Sequence, residues 1–290
     1  MNKKQVFRRK NNLTEGTAIG FQIAIVAVLV FFALCQIFPF YLQVIRAFQP
    51  KDLIPVDGKI YLLPITWNIA NFAEAFRRVE LLQGVINSLI VGLGFTLLSS
   101  AVILITGYTL GKKKFRGKRV IIFCMLMTMA VPGEMLLVTN YLLISQLNWT
   151  NSFAGLILPG IVNIMGTFLV MSFMNTIPDA TLESADLDGA REIRKIFAII
   201  LPLCMPVIAT YCIITFVAKW NDYLWPMIIV NDRSMFTVQL KLMEFNPFYM
   251  GFADEVLKSG AHILSLIPVI ALYILCQKRF VGGISVSGLK

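Results

Sequence analysis

Acidic residues at helical spacing stand out in one stretch, Ile177–Pro202, which reads IPDATLESADLDGAREIRKIFAIILP. Asp179, Glu183 and Asp186 recur at i, i+4 and i+7 and share one helix face, while Leu182, Ala185 and Gly189 share another. Pro178 and Asp179 suit a first turn, by fixed φ and by negative charge at the positive helix end. An acidic stripe is repelled by an anionic membrane surface and attracted by a basic protein groove. Gly189 permits the left-handed backbone that ends such a helix. A second helix is expected after it, with Ile193, Ile196, Phe197 and Ile200 on its apolar face and Arg191, Arg194 and Lys195 elsewhere. The chemistry offered is contact rather than bond-making: a helix–glycine–helix elbow able to dock on a partner.

Elsewhere the reactive residues are sparse. Glu134 and Asp222 are the clearest carboxylates inside apolar stretches, and Lys219 is the clearest base. Ionisable groups in such places are candidates for a polar path, as are Asn87, Asn140, Asn163 and Asn221. The single histidine, His262, starts an apolar run and reads as interfacial rather than as a proton relay. No nucleophile–base constellation occurs, and no Walker A loop able to cradle nucleotide phosphates. Cys35, Cys124, Cys204, Cys212 and Cys276 form no C-x-x-C pair and read as small buried apolar residues, without a disulfide framework or metal site.

The elements that must position these residues are membrane spans. Of 290 residues, 57% are hydrophobic and 14% charged, a balance that suits lipid rather than water around the chain. Six stretches are long and apolar enough to cross a bilayer: about 17–45, 83–110, 120–145, 153–175, 199–230 and 261–279. The first is too long for the core of a secretory signal and is expected to remain as a span. Net charge is +10, and the basic residues are unevenly spread. Seventeen lie in the N-terminal tail, in Lys112–Arg119, in 176–198 and at the C-terminal end, against eight in the alternate loops, which puts both termini in the cytoplasm. The expected layout is a cytoplasmic tail at 1–16, a single transmembrane domain over 17–281 including the loop 176–198, and a cytoplasmic tail at 282–290. Seven prolines near membrane depth (Pro39, Pro132, Pro159, Pro202, Pro206, Pro226 and Pro268) fit a bundle of bent helices. Ile69, Phe72, Ala73 and Phe76 predict a short amphipathic helix, lying at the outer interface or packed on the bundle. Residues 231–260 are too polar to span and form a sizeable outer segment.

Glu183-Ser184-Ala185, Asp188-Gly189-Ala190 and Leu201-Pro202, at these spacings and between the fourth and fifth spans, resemble the "EAA" loop of binding-protein-dependent ABC importer permeases. Ser184 stands where that family usually has alanine, a small-for-small difference. Asn87-Ser88-Leu89 opens the second span as in the family, and Trp220-Asn221-Asp222 with Pro226 follows the loop as in sugar permeases. The ending Arg279-Phe280-Val281-Gly282-Gly283 and Ser287-Gly288-Leu289-Lys290 is similar to that of the shorter maltose-type permease.

The resemblance implies an all-α membrane protein with six transmembrane helices in the type I ABC importer permease fold. It implies a non-catalytic subunit that forms a carbohydrate pathway with a second permease. A cytoplasmic ATPase dimer would bind ATP and magnesium, this chain binding no cofactor, and an external solute-binding protein would deliver the cargo to a surface including 231–260. Glu183, Ser184, Ala185, Asp188, Gly189 and Ala190 would belong to the ATPase-coupling contact, and Gly288, Leu289 and Lys290 would reach the ATPase. Three alternatives stay open: an ion-coupled secondary transporter, a membrane scaffold, and an ABC permease for a non-sugar solute. The first needs paired carboxylates or a histidine relay at the midplane, which the sequence does not clearly show.

Overall fold

The computed structural model describes residues 3–53, 60–245 and 252–287, with side chains between 21 and 274. Among the described residues every regular element is helical. The long elements are α1 (Lys3–Ala47), α3 (Leu81–Lys112), α10 (Leu201–Trp220) and α13 (Phe252–Ser287). Shorter ones are α2 (Ala70–Arg78), α4 (Lys118–Met129), α5 (Leu137–Gln146), α6 (Phe153–Ile157), α7 (Ile164–Met174), α8 (Ala180–Leu187), α9 (Glu192–Lys195), α11 (Leu224–Ile229) and α12 (Val238–Met243).

Four segments among the described residues are long and apolar enough to cross a membrane: Phe21–Ala47, Leu81–Lys112, Glu192–Trp220 and Ala253–Ile274. The stretch expected as the third span is a bent pair, α4 and Gly133–Gln146, meeting at 92°. Pro132 lacks the N–H that would continue the helix, and Gly133 follows it. The stretch expected as the fourth is split into α6 and α7 around Pro159 and Gly160, whose φ is +80°. Asn163 restarts the helix by accepting the Gly166 N–H at 2.6 Å. Such breaks are tolerated at membrane depth where other groups satisfy the freed backbone.

The chain divides into two compact units, Met1–Ala73 with Tyr249–Ile263, and Glu74–Phe248 with Leu264–Lys290. In the first, Asn71 donates to the carbonyls of Ala47 and Gln49 at 2.9 Å, which ties the start of α2 to the end of α1. Phe48 packs on Phe72 and Trp67, and Arg46 pairs with Glu255 at 3.2 Å. The Gln43 amide donates to Nδ1 of His262 at 2.8 Å, so the ring proton sits on Nε2. Helix α2 forms where expected; it buries Asn71 and Ala75 against protein, while Phe72 is half-buried and Ala73 and Phe76 are exposed, as an interfacial helix would leave them.

In the second unit α3 is the central helix, packed by α7, α10 and α12. Small residues let those backbones approach. A Cβ on Gly107 would stand 2.7 Å from Val170, one on Gly111 2.6 Å from Met174, and one on Gly92 2.9 Å from Phe216. Polar contacts cross the same seam: Ser99 Oγ donates to the Ile161 carbonyl at 2.8 Å and accepts from the Tyr211 hydroxyl at 2.6 Å. The apolar core of this unit runs from Ile103, Leu104 and Tyr211 down to Ile177 and Leu182. Of the cysteines expected to be buried, Cys204 is and Cys212 is half-buried, whereas Cys35 and Cys124 lie exposed on apolar helix surfaces; the side chain of Cys276 lies outside the described residues. A thiol on a lipid-facing helix needs no protein neighbour to be shielded from water.

Candidate functional site: an elbow clamped to a span

The elbow read from the sequence is present. Helix α8 ends in a Schellman motif: Gly189 N–H bonds the Asp186 carbonyl at 3.0 Å and Ala190 N–H bonds the Ala185 carbonyl at 3.0 Å. Gly189 supplies the required positive φ, +71°. No atom lies within 4 Å of where its Cβ would be, so conformation alone selects glycine here. After the single turn of α9 comes a π-helical turn, Ile196–Ile200, which runs into α10 with Pro202 in its first turn. The wider π turn shifts the side-chain period, so the apolar face expected of this helix is divided: Ile200 is fully buried and Ile196 half-buried, while Ile193 and Phe197 are exposed.

One face of α8 packs inward through Leu182 and Ala185, as the i, i+3 spacing predicts. Burying a leucine contributes roughly 1.5–3 kcal/mol. Glu183, Ser184, Asp188 and Gly189 are exposed, and Ala190 is half-buried. Leu187, on the outer side, is 90% exposed and Ile193 is 72% exposed. These two aliphatics are bare, and the exposed carboxylates Glu183 and Asp188 lie on the same elbow.

The acidic stripe is not all available to a partner. Lys112, the last residue of α3, donates to Asp179 Oδ1 and to the Ile177 carbonyl, both at 2.5 Å. That lysine holds the exposed Asp179 carboxyl below the usual aspartate range. Asp186 is bonded by buried Lys195. Glu183 alone of the three has no salt bridge among the described residues. Glu192, at the start of α9, accepts from Lys113 at 2.7 Å, from Lys195 at 2.9 Å and from the Tyr108 hydroxyl at 3.0 Å. Lys113 also lies 5.3 Å from the centre of the Tyr108 ring. The elbow is thus bound to the end of α3 at Asp179 and at Glu192. Sequence reading took Lys112 and Lys113 as topology signals only and did not single out Glu192. The Glu192–Lys195 spacing and the lysine run at 112–114 were the available signals.

The residues offered for a polar path are dispersed. Asn87 is buried near the start of α3; its amide donates to the carbonyls of Ser234 and Phe236 at 2.8 and 2.9 Å and its oxygen accepts from Gln83. With the Ser88 hydroxyl, which accepts the Val238 N–H at 2.8 Å, it pins the segment before α12 onto α3. Lys241 of α12, fully buried, reaches Glu80 at 2.9 Å and holds that exposed carboxyl below its usual range. Asn163 is the α7 cap already described. Asp222 accepts from Lys219 at 3.0 Å and from the Trp225 N–H at 3.3 Å, and Lys219 lies 4.7 Å from the centre of the Phe95 ring. Asn221 accepts from Gln239 at 3.4 Å. Glu134 and Asn140 are exposed on the bent pair. Gly288, Leu289 and Lys290 lie outside the described residues.

Comparison with known proteins bears on this geometry. Residues 103–284 match the family model described as "Binding-protein-dependent transport system inner membrane component". The chain belongs to this family. It is a multi-pass inner-membrane permease subunit, and the elbow, the clamp and the bent pair all fall within the matched region. It is 28% identical to the arabinooligosaccharides transport system permease protein AraQ of Bacillus subtilis, over 93% of this chain and 96% of that one. It is 26% identical to the polygalacturonan/rhamnogalacturonan transport system permease protein YtcP of the same organism, over 97% and 99%. It is 29% identical to the sn-glycerol-3-phosphate transport system permease protein UgpE of Yersinia enterocolitica, over 91% and 96%. A solved chain from a bacterial ABC transporter involved in the import of the acidic polysaccharide alginate superposes with a TM-score of 0.82 at 22% identity, over 91% of this permease and 98% of that chain, which shows a shared ABC importer permease fold.

Proposed function

We propose that this permease forms, with a second permease, the transmembrane pathway of an ATP-driven carbohydrate importer, its elbow at 176–200 docking on a cytoplasmic ATPase. The observation that carries the reading is the elbow itself: a Schellman-capped helix fused through a π turn to a span, packed inward by Leu182 and Ala185 and bare outward at Leu187 and Ile193. Glu183, Ser184, Asp188, Gly189 and Ala190 lie on or beside the outward surface and make the ATPase contact, with Ala185 packing beneath it. Gly288, Leu289 and Lys290 join that contact. The uneven spread of lysine and arginine supports this side as cytoplasmic. ATP and magnesium are held by the ATPase. An external binding protein meets the side where Asn87, Ser88 and Lys241 fasten the 233–243 segment to α3.

Carbohydrate as cargo is supported by the relatives for arabinooligosaccharides and for polygalacturonan or rhamnogalacturonan. The glycerol phosphate relative favours a second reading, a phosphorylated polyol. Lys219 is already neutralised by Asp222, which supports an uncharged cargo at that end of α10. Asn221, Asp222, Asn140, Asn163, Glu134 and Asn87 remain the pathway set to be tested by substitution. The deciding experiment reconstitutes the chain with its co-purifying subunits and binding protein in proteoliposomes. ATP-dependent uptake of a neutral oligosaccharide, unaffected by collapsing ion gradients, is the expected result. Uptake driven by an ion gradient without ATP refutes the reading, and uptake of glycerol phosphate alone moves the cargo to the second.

A further inference from the structure

The elbow has two soft joints. One is Gly189 at φ +71°, and the other is the π-helical turn 196–200, a local departure from the regular α-helical hydrogen-bond ladder. Between them sits α9, only four residues long. A push on α8 transmitted through the backbone alone would be absorbed at these joints. Side chains bridge the first and bypass the second. Lys195 reaches back across Gly189 to Asp186 of α8, and also bonds Glu192 at the start of its own helix at 2.9 Å. Glu192 in turn accepts from Lys113 and Tyr108 at the end of α3. Lys195 is buried although its side chain carries a full charge, and its two carboxylate partners are the groups that compensate that burial.

We propose that Glu192 is a positioning residue that joins the elbow to the second span, so that thrust on α8 reaches α3 through Asp186–Lys195–Glu192–Lys113, beside the Asp179–Lys112 pair at the other end of α8, instead of being lost in the two joints. Coupling then depends on a side-chain relay to α3 as well as on the chain's own path into α10. The proposal rests on the importer reading above and adds the route by which that importer's elbow drives its helices.

The test uses the full complex with its ATPase, second permease and binding protein in proteoliposomes, and reads solute imported per ATP hydrolysed. Variants are Lys113→Met, Glu192→Gln, their double, and Lys113→Arg. Lys113 and Glu192 are both partly exposed, and neither substitution opens a core cavity. The expected result is a fall of about fivefold or more in the ratio for each single variant, the ordinary range of coupling between sites. ATP hydrolysis continues and the ATPase still co-purifies. The double falls no further than the singles, because both remove one link. Lys113→Arg, which keeps charge and donors, restores the ratio. An unaltered ratio in the singles overturns the proposal, as does a proportional loss of uptake and hydrolysis with release of the ATPase, which marks a merely structural contact. A wild-type complex without ATP-dependent uptake overturns the importer reading and the proposal with it; tight coupling in wild type and variants alike overturns the proposal alone.

Discussion

Replacing Gly189 isolates backbone conformation from packing. The residue sits at φ +71° with nothing within 4 Å of its Cβ position, so a side chain there meets no neighbour and pays only for the left-handed backbone. For alanine that cost is about 1–2 kcal/mol, and asparagine tolerates the region better. Valine, branched at Cβ, is an outlier in that region and costs more than alanine. At about 2 kcal/mol the bent form loses roughly 30-fold in population relative to an unwound end. Helix α8 has eight residues, and the Ala185 and Asp186 carbonyls near its end accept the Ala190 and Gly189 N–H groups through this turn, so unwinding it loosens the helix end. Uptake by proteoliposomes carrying the full complex is therefore expected to fall in the order Gly, Asn, Ala, Val, with valine abolishing transport. Membrane insertion and the melting of the purified chain should stay close to wild type. Valine transporting as well as asparagine would refute the idea that the left-handed turn sets the docking geometry. Loss of the whole fold in the alanine variant would refute the idea that the strain is local.

Three further outcomes follow from particular contacts. Gly107→Val forces a branched side chain onto Val170, whose Cβ is 2.7 Å from the added carbon, and is expected to destabilise the α3–α7 seam by about 1–3 kcal/mol, read as a lower melting temperature in detergent. Asn87→Leu strands the Ser234 and Phe236 carbonyls and costs about 1–3 kcal/mol locally; limited proteolysis should then cut within 231–245 while α3 itself stays protected. The Asp179 carboxyl is held below its ordinary range by Lys112, so the stability it contributes is present above the ordinary aspartate value and lost as pH falls through the lowered one. Hydrogen exchange of the 177–187 amides should rise in that acid window, and Asp179→Asn should shrink the pH step, leaving the part that comes from Glu192, held down to about 2 by Lys113 and Lys195.

Much of the elbow was legible from residue types alone, because its determinants are local. A glycine after an eight-residue helix, leucine and alanine three apart, and a proline at the head of the next span act within one or two helical turns of themselves. The same is true of the long spans: α1, α3, α10 and α13 announce themselves by unbroken apolar length, which lipid demands of any helix that crosses it. Charge asymmetry between loops is likewise a property of the string.

Tertiary structure decided where those local pieces point. The 92° bend at Pro132 and the break at Pro159–Gly160 turn two apparently simple spans into broken ones, since a proline permits a kink without dictating its angle. Asn87, offered as a path-lining amide, has its donors taken by carbonyls about 150 residues away, a pairing no local pattern encodes. Two of the three carboxylates in the acidic stripe belong to lysines of the same chain, Lys112 and Lys195, and only folding brings the α3 terminus beside the elbow. Sequence spacing fixes which residues share a helix face; which of those faces meet a partner depends on long-range packing, because a charge is free for a partner only after the rest of the chain has taken what it can reach.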